Sequence, residues 1–140
     1  MMDELQENIK KAEGYLQRFK DNVTTHFISG QPYAGDSGKT FENNTPVDNS
    51  AIGQIAEGSA EDINVACKAA ASAFSDWSNT PGKERKKVLH RFADLIVKRA
   101  EEIAMVESMD CGQPIQFMKA AALRGSENFR FFADKAPEAS

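Results

Sequence analysis

The sequence is poor in the residues that most often build reactive or cross-linked sites. It has two cysteines and two histidines among 140 residues. Cys67 and Cys111 lie far apart and match no metal-ligand spacing, so we expect neither a zinc site nor the disulfide framework of a secreted domain. This cysteine usage predicts a reducing, cytoplasmic location.

Long apolar runs and an excess of positive charge are missing as well. Residues 1–4 are acidic, and no segment approaches the length of a membrane span, which predicts a soluble protein with no membrane partner. Seventeen Lys and Arg residues against 21 Asp and Glu residues give a net charge of -4. Because nucleic-acid binding needs a basic face, we expect no nucleic-acid partner.

The sequence motifs that identify common enzyme classes are also missing. The chain has neither the closely spaced glycines of a dinucleotide fold nor the glycine-lysine pair of a phosphate loop. It has no Gly-x-Ser-x-Gly elbow and no His-Glu-x-x-His helix. Taken alone, the residues indicate an α+β domain and no particular reaction.

The patterns that are present predict an N-terminal helix, a small antiparallel β unit and then three to four long helices. Apolar residues at steps of three and four predict the first helix over residues 3–19. Turn residues then alternate with short extended pieces, predicting a hairpin over 26–33 with its turn at Ser29-Gly30 and a second pair of strands over 40–44 and 51–56.

Start and stop signals divide the second half into helices. Ser59 and Asp62 form a capping box, and the stripe that follows puts Cys67 in a packed face. Thr80 is the expected cap of the next helix, with Pro81 at its first position. The pattern from Pro81 to Cys111 is long for one helix, so we expect a break near Arg99 and Ala100.

The possible thiol chemistry is weak. Cys111 ends a helical pattern just before Gly112, where the helix dipole and neighbouring Asp110 both oppose thiolate formation. His26 and His90 are expected to be surface histidines without partners, and the basic run around His90 is expected to be a solvated helix face. A thiol enzyme that combines Cys111 with His26 or His90 is therefore our last-ranked hypothesis.

The order of several short motifs resembles the N-terminal part of the aldehyde dehydrogenase superfamily. The match runs from about residue 25 to the end, so we expect residues 1–24 to be a helical extension and residues 25–140 to be the N-terminal part of an aldehyde dehydrogenase domain and fold. The matching pieces are Phe27-Ile28-Ser29-Gly30, Gly38-Lys39-Thr40-Phe41, Asn44-Thr45-Pro46, Ala56-Glu57-Gly58, the helix from Ala60 to Trp77, Glu84-Arg85, Leu95-Ile96 and residues 107–114.

The run from Arg124 through Asn128-Phe129 to Phe132-Ala133-Asp134 is similar to the branch that oxidises muconate-type semialdehydes from aromatic catabolism. In that family a cysteine attacks the aldehyde, hydride passes to NAD or NADP, and a glutamate activates water. The resemblance implies that those residues lie C-terminal to this chain. We therefore expect no catalytic or cofactor-binding residue here, no NAD(P) binding by the chain alone, and an aldehyde substrate and homo-oligomer for the complete enzyme.

The resemblance carries two binding roles onto this sequence. Asn43, Asn44 and Asp110 match positions that hold a monovalent cation, although Thr45-Pro46 stands where asparagine-proline is usual. The alternative for Asp110 is a helix-end carboxylate bonded to nearby amides. Arg124 matches an arginine that holds the substrate's carboxylate, and its alternative is a helix-surface arginine paired with Glu127 or Asn128.

A non-enzymatic interpretation also stays open. The narrow apolar stripe of residues 5–19 and the apolar helix faces could serve an independent helical adaptor that binds a partner protein. A severed enzyme piece should instead associate through exposed helix faces and show no aldehyde oxidation.

Overall fold

The computed structural model describes residues 2–138 and has the predicted α+β architecture. Within that range the chain forms two compact units, one made of residues 2–15 and 80–138 and the other of residues 16–79. The elements in order are α1 Met2–Asp21, β1 His26–Ile28, β2 Gln31–Tyr33, β3 Thr40–Asn44, β4 Ala51–Ala56, α2 Ala60–Asn79, α3 Gly82–Lys98, α4 Ala100–Cys111 and α5 Ile115–Lys135.

The strands of the second unit form two antiparallel pairs, as the turn residues predict. β1 pairs with β2 with His26 opposite Tyr33. Ser29 and Gly30 join them at φ 54° and 79°. Two consecutive left-handed residues suit the twist of a tight hairpin, and this explains why a serine-glycine pair stands there. β3 pairs with β4 and carries an irregularity between Asn43 and Asn44.

The predicted capping box starts α2. The Ser59 backbone N–H donates to Asp62 Oδ2 at 2.8 Å, and the Asp62 N–H donates to Ser59 Oγ at 3.1 Å. Asp62 Oδ1 also accepts from the backbone N–H of Asp36 at 3.0 Å, which ties the loop after β2 to the helix. The bond from the Ser59 N–H is the main reason that the pKa of Asp62 falls to about 2.

Small residues allow close packing in the helical unit. Ala93 of α3 and Ala133 of α5 are fully buried, and Ser126 is 1% exposed. α3 and α5 pack along much of their length, and α4 packs on α5 with Ala104 and Met105 buried. Side chains of this size leave room for the helix backbones to approach one another.

The helix boundaries confirm two predictions and correct a third. Arg99 separates α3 from α4, at the predicted break, and Gly112 ends α4 in the left-handed conformation at φ 72°. However, Pro81 rather than Thr80 occupies the cap position of α3. The fixed φ of proline suits this entry as well as the first helical turn, so the helix begins one residue later than predicted.

The prediction that Cys67 belongs to a packed core is wrong. Cys67 is exposed, and on the same helix Ile63, Phe74 and Trp77 are 63%, 69% and 45% exposed. Helical spacing identifies an apolar face, but it does not reveal whether another element covers that face. Residues 2–138 contain no helix long and apolar enough to cross a membrane.

Candidate functional site

The residue with the clearest predicted binding role, Arg124, lies near the middle of α5. Its side chain is exposed, and it forms no hydrogen bond or ion pair within residues 2–138. Phe117, Asn128 and Phe131 follow the same helical periodicity, so they share its face of α5. Phe117 and Phe131 are 56% and 60% exposed. This face therefore presents a guanidinium and an amide between two aromatic rings.

Within residues 2–138, Arg124 pairs with neither Glu127 nor Asn128, the two partners that the sequence suggested. Glu127 Oε1 lies 3.8 Å from Arg130 Nε, a long contact made toward the next turn. Asn128 forms no hydrogen bond in the described part of the chain. The guanidinium of Arg124 thus keeps its donors available for a carboxylate from outside the helix.

A charged network that the sequence did not reveal joins α3 to α5. We call it the polar seam, and it consists of Lys86, His90, Asp94, Arg130 and Asp134. Arg130 Nη2 donates to Asp94 Oδ1 at 2.6 Å, and Lys86 Nζ lies 2.8 Å from Asp134 Oδ1. The hydrogen bond from Lys86, followed by that of His90, lowers the pKa of Asp134 to about 2. No local motif could indicate these pairs, because each joins residues about 36 to 48 positions apart.

His90 is held between two partners in this seam. Its Nε2 lies 2.9 Å from Asp134 Oδ1 and its Nδ1 lies 3.4 Å from Arg130 Nη1. Because a guanidinium can only donate, Nδ1 must accept, which assigns the ring proton to Nε2. The prediction of a partnerless surface histidine is therefore wrong for His90. The side chains of these pairs are 30–66% exposed, and exposed ion pairs contribute little to stability. We therefore interpret the polar seam as a set of contacts that fixes how α3 and α5 are positioned.

His26 is also less exposed than predicted. Its Nε2 atom is buried and has no partner among residues 2–138. The ring packs beside Gly58, where an added Cβ would lie 3.4 Å from His26 Cε1. The contact with Gly58 joins distant parts of the chain, so the local sequence around His26 does not reveal this burial.

Cys111 is the last residue of α4, at the helix end that the sequence pattern predicts. Its Sγ donates to the Glu107 carbonyl oxygen at 2.9 Å, within the last turn of α4. In the described range, residues 2–138, no three His, Cys, Asp or Glu side chains are grouped as metal ligands.

The residues of the predicted cation site occupy element ends. Asn43 and Asn44 lie at the end of β3, at its irregularity, and Asp110 is exposed in the last turn of α4. Backbone carbonyl and carboxylate oxygens are the ligands that hard cations take, so the donor chemistry fits such an ion. The three-residue site stays a prediction.

Comparison with known proteins identifies the family. The model of the "Aldehyde dehydrogenase family" matches residues 33–140. The chain belongs to the aldehyde dehydrogenase family. The match covers every element from β3 to α5 and confirms the family that the sequence motifs predicted.

Individual aldehyde dehydrogenases show how far the similarity extends. Aldehyde dehydrogenase 1 of Tanacetum cinerariifolium is 40% identical over 81% of this chain and 23% of its own length. The 5-carboxymethyl-2-hydroxymuconate semialdehyde dehydrogenase of Escherichia coli is 37% identical over 78% of this chain and 23% of its own length.

Solved aldehyde dehydrogenase structures share the fold. HpcC from Thermus thermophilus superposes with a TM-score of 0.89 at 39% identity, covering 93% of this chain and 25% of that one. An NAD+ complex of aldehyde dehydrogenase from Bacillus cereus gives 0.80 at 33% identity, covering 85% and 25%. The chain thus spans about a quarter of the length of these relatives and corresponds to their N-terminal portion.

Proposed function

We propose that this chain supplies the N-terminal quarter of an NAD(P)-dependent aldehyde dehydrogenase that oxidises an aldehyde to its carboxylic acid. Family membership over residues 33–140 carries this proposal. The cofactor would accept hydride in the part of the enzyme beyond this quarter, and a relative with a bound NAD+ supports that chemistry for the family. The chain alone is proposed to be inactive and to bind no cofactor.

We further propose a muconate-type semialdehyde from aromatic catabolism as the substrate. The name of the Escherichia coli relative, which is 37% identical to this chain, supports that class. A substrate of this kind carries a carboxylate in addition to its aldehyde. The enzyme therefore needs a cation placed to bind that carboxylate without taking part in the oxidation.

Arg124 is the residue that we assign to this task. A guanidinium offers two parallel N–H donors, which match the two oxygens of a carboxylate. Its lack of any partner within residues 2–138 supports the assignment, because an arginine already paired with Glu127 would have to break that pair first. Phe117 and Phe131 on the same face could bound the apolar part of the substrate.

The remaining assignments complete the proposal. Residues 1–24 form a helical extension and residues 25–140 form the N-terminal part of the dehydrogenase domain. Asn43, Asn44 and Asp110 hold a monovalent cation in the complete enzyme, which is a homo-oligomer in the cytoplasm. The cation would position backbone and would take no part in the reaction.

A chimera tests the proposed function. In it, this chain replaces the matching N-terminal quarter of the Escherichia coli relative, and NAD- or NADP-dependent oxidation of 5-carboxymethyl-2-hydroxymuconate semialdehyde is measured. We expect activity within about tenfold of the parent, since the chain should rebuild the same fold. A well-folded chimera with no dehydrogenase activity would contradict the proposal.

The substitution Arg124→Ala in that chimera tests the substrate assignment. We expect KM for the carboxylate-bearing semialdehyde to rise about 10- to 100-fold, because a charged two-point contact is lost from binding. KM for propanal, which has no carboxylate, should stay within about twofold. Arg124→Lys is the matched control and should recover part of the loss, since lysine keeps the charge but not the fork. Equal losses on both substrates would refute the role of Arg124.

A further inference from the structure

The face of α5 that carries Arg124 also carries Asn128, one helical turn further along the chain. Residues four positions apart on an α-helix lie on the same side, with their Cβ atoms about 5–6 Å apart. Both side chains are exposed. A small ligand that binds the guanidinium of Arg124 is therefore within reach of the Asn128 amide.

Asn128 differs from most polar residues of α5 because its side chain has no partner. From residue 120 to residue 135, Arg124 and Asn128 are the two polar side chains that form no hydrogen bond or ion pair with residues 2–138. The other polar side chains in this stretch bond to a carbonyl oxygen or to a charged group of the chain: Ser126, Glu127, Arg130, Asp134 and Lys135. The Asn128 amide is thus available for a ligand from outside the helix.

The two side chains differ in the groups that they can bind. A guanidinium only donates hydrogen bonds and suits the two oxygens of a carboxylate. An amide has two N–H donors and a carbonyl acceptor, so it suits a hydroxyl group, which also donates and accepts. Arg124 and Asn128 together therefore match a ligand that has a hydroxyl group beside its carboxylate.

We propose that Asn128 binds the hydroxyl group next to the substrate carboxylate and so determines specificity for 2-hydroxymuconate-type semialdehydes. The inference rests on the proposed function, in which Arg124 binds that carboxylate. In a 2-hydroxymuconate semialdehyde, the kind of compound that appears in the name of the Escherichia coli relative, the carbon that bears the hydroxyl is bonded to the carboxylate carbon. The amide carbonyl of Asn128 accepts from this hydroxyl, and its N–H donates to the hydroxyl oxygen.

Ligand binding to the chimera with the Escherichia coli relative tests the proposal and needs no turnover. Calorimetric titration measures Kd for 2-hydroxymuconate and for muconate, the same dicarboxylate without the hydroxyl. We expect Asn128→Leu to raise Kd for 2-hydroxymuconate about 3- to 10-fold, because a hydrogen bond to the hydroxyl is lost. Kd for muconate should change by less than about twofold, since muconate offers no hydroxyl to bind.

Three further variants serve as controls. Gln116→Leu makes the same change from an amide to leucine at another exposed position of α5, and it should leave both Kd values unchanged. Arg124→Ala should weaken the binding of both ligands, since both carry a carboxylate. Asn128→Gln keeps the amide and should recover part of the affinity for 2-hydroxymuconate that Asn128→Leu loses.

Equal affinity of the parent chimera for the two ligands would overturn the proposal. So would an Asn128→Leu variant that weakens both ligands equally, or neither of them. A chimera that oxidises no aldehyde but loses its preference for 2-hydroxymuconate in Asn128→Leu would contradict the proposed function and leave the role of Asn128 in place.

Discussion

Asp62 links separate parts of the second unit through its carboxylate. Its carboxylate accepts from the backbone N–H groups of Ser59 and Asp36, and it is the main cause of the raised pKa of Tyr33. The hydroxyl of Tyr33 gives up its proton less readily beside this carboxylate, so its pKa is raised. One residue thus joins the β1–β2 hairpin, the following loop and the start of α2.

Asp62 should make the chain sensitive to acid. Its pKa is lowered from 3.8 to about 2 in the folded state, so the stabilisation is present above about pH 4 and is lost as the pH falls toward 2. Asp62→Asn should lower the melting temperature at pH 7 and flatten its pH dependence between pH 4 and 2. Melting curves from pH 2 to 7 measure this.

Glu13→Gln is the control for the acid experiment, because Glu13 is an exposed carboxylate in the middle of α1. That variant should keep the parent's pH dependence. If the melting temperature of Asp62→Asn fell between pH 4 and 2 as steeply as that of the parent, the carboxylate of Asp62 would not be the source of the acid sensitivity. Asp134 also has a pKa of about 2, so it should account for part of the pH dependence of the melting temperature that remains in Asp62→Asn.

Among the secondary-structure elements, the start of α3 packs closely against the residues that follow α5. A Cβ added at Gly82 would lie 2.5 Å from the Ala136 carbonyl oxygen and 2.8 Å from Pro137 Cα. These are backbone atoms, which cannot rotate away as the end of a side chain can. Glycine is therefore needed at this position for packing.

Two glycine-to-alanine substitutions separate packing from helix propensity. Gly82→Ala should destabilise the helical unit by about 1–3 kcal/mol, because the methyl group overpacks a backbone contact. Gly125→Ala is the matched control within α5, where a Cβ would meet nothing within 4 Å, and it should stabilise the helix by up to about 1 kcal/mol. Urea unfolding of both variants measures the difference, and equal effects would contradict the packing argument.

The helices are also joined by contacts of smaller energetic weight. Glu101 of α4 accepts from Lys11 at 2.8 Å and from the hydroxyl of Tyr15 at 3.0 Å, which lowers the pKa of the carboxyl. Exposed ion pairs of this type contribute little to stability, because water and salt screen the attraction between the charges. They select how α1 and α4 meet within their unit more than they stabilise it.

For the molecule as a whole, exposed apolar surface is the dominant property. Apolar side chains that are 38–69% exposed occur on α1 to α5, and they include Phe92 and Phe129 of α3 and α5 and Phe74 and Trp77 of α2. Water contact with such surface is unfavourable, and association reduces it. The isolated chain should therefore form oligomers or aggregates whose mass rises with concentration, and it should oxidise no aldehyde with NAD.

Light scattering after size-exclusion chromatography measures this association. The variant Phe92→Ser with Phe129→Ser removes two exposed rings that meet between α3 and α5 and should reduce association, whereas Lys87→Ser should leave it unchanged. A monodisperse monomer with a sharp cooperative melt would contradict the expectation and would favour the adaptor hypothesis.

The sequence by itself determined the elements and the family. Local signals are enough for the Ser29-Gly30 turn, the Ser59–Asp62 capping box, the break at Arg99 and the end of α4 at Gly112, because each depends on backbone conformation or on hydrogen bonds within a few residues. The order of short motifs likewise predicted the aldehyde dehydrogenase family that the comparison shows.

Only the tertiary structure decided which helix faces are covered and which distant charges meet. Periodicity marked the face of α2 as apolar and placed Cys67 in a core, but that residue is exposed. His90 pairs with Asp134, 44 residues away, and Arg130 reaches Asp94 across the same two helices. Such contacts depend on how α3 and α5 pack, and no local pattern encodes that packing, so the polar seam became visible only in three dimensions. The same holds for Arg124, which has no partner within residues 2–138.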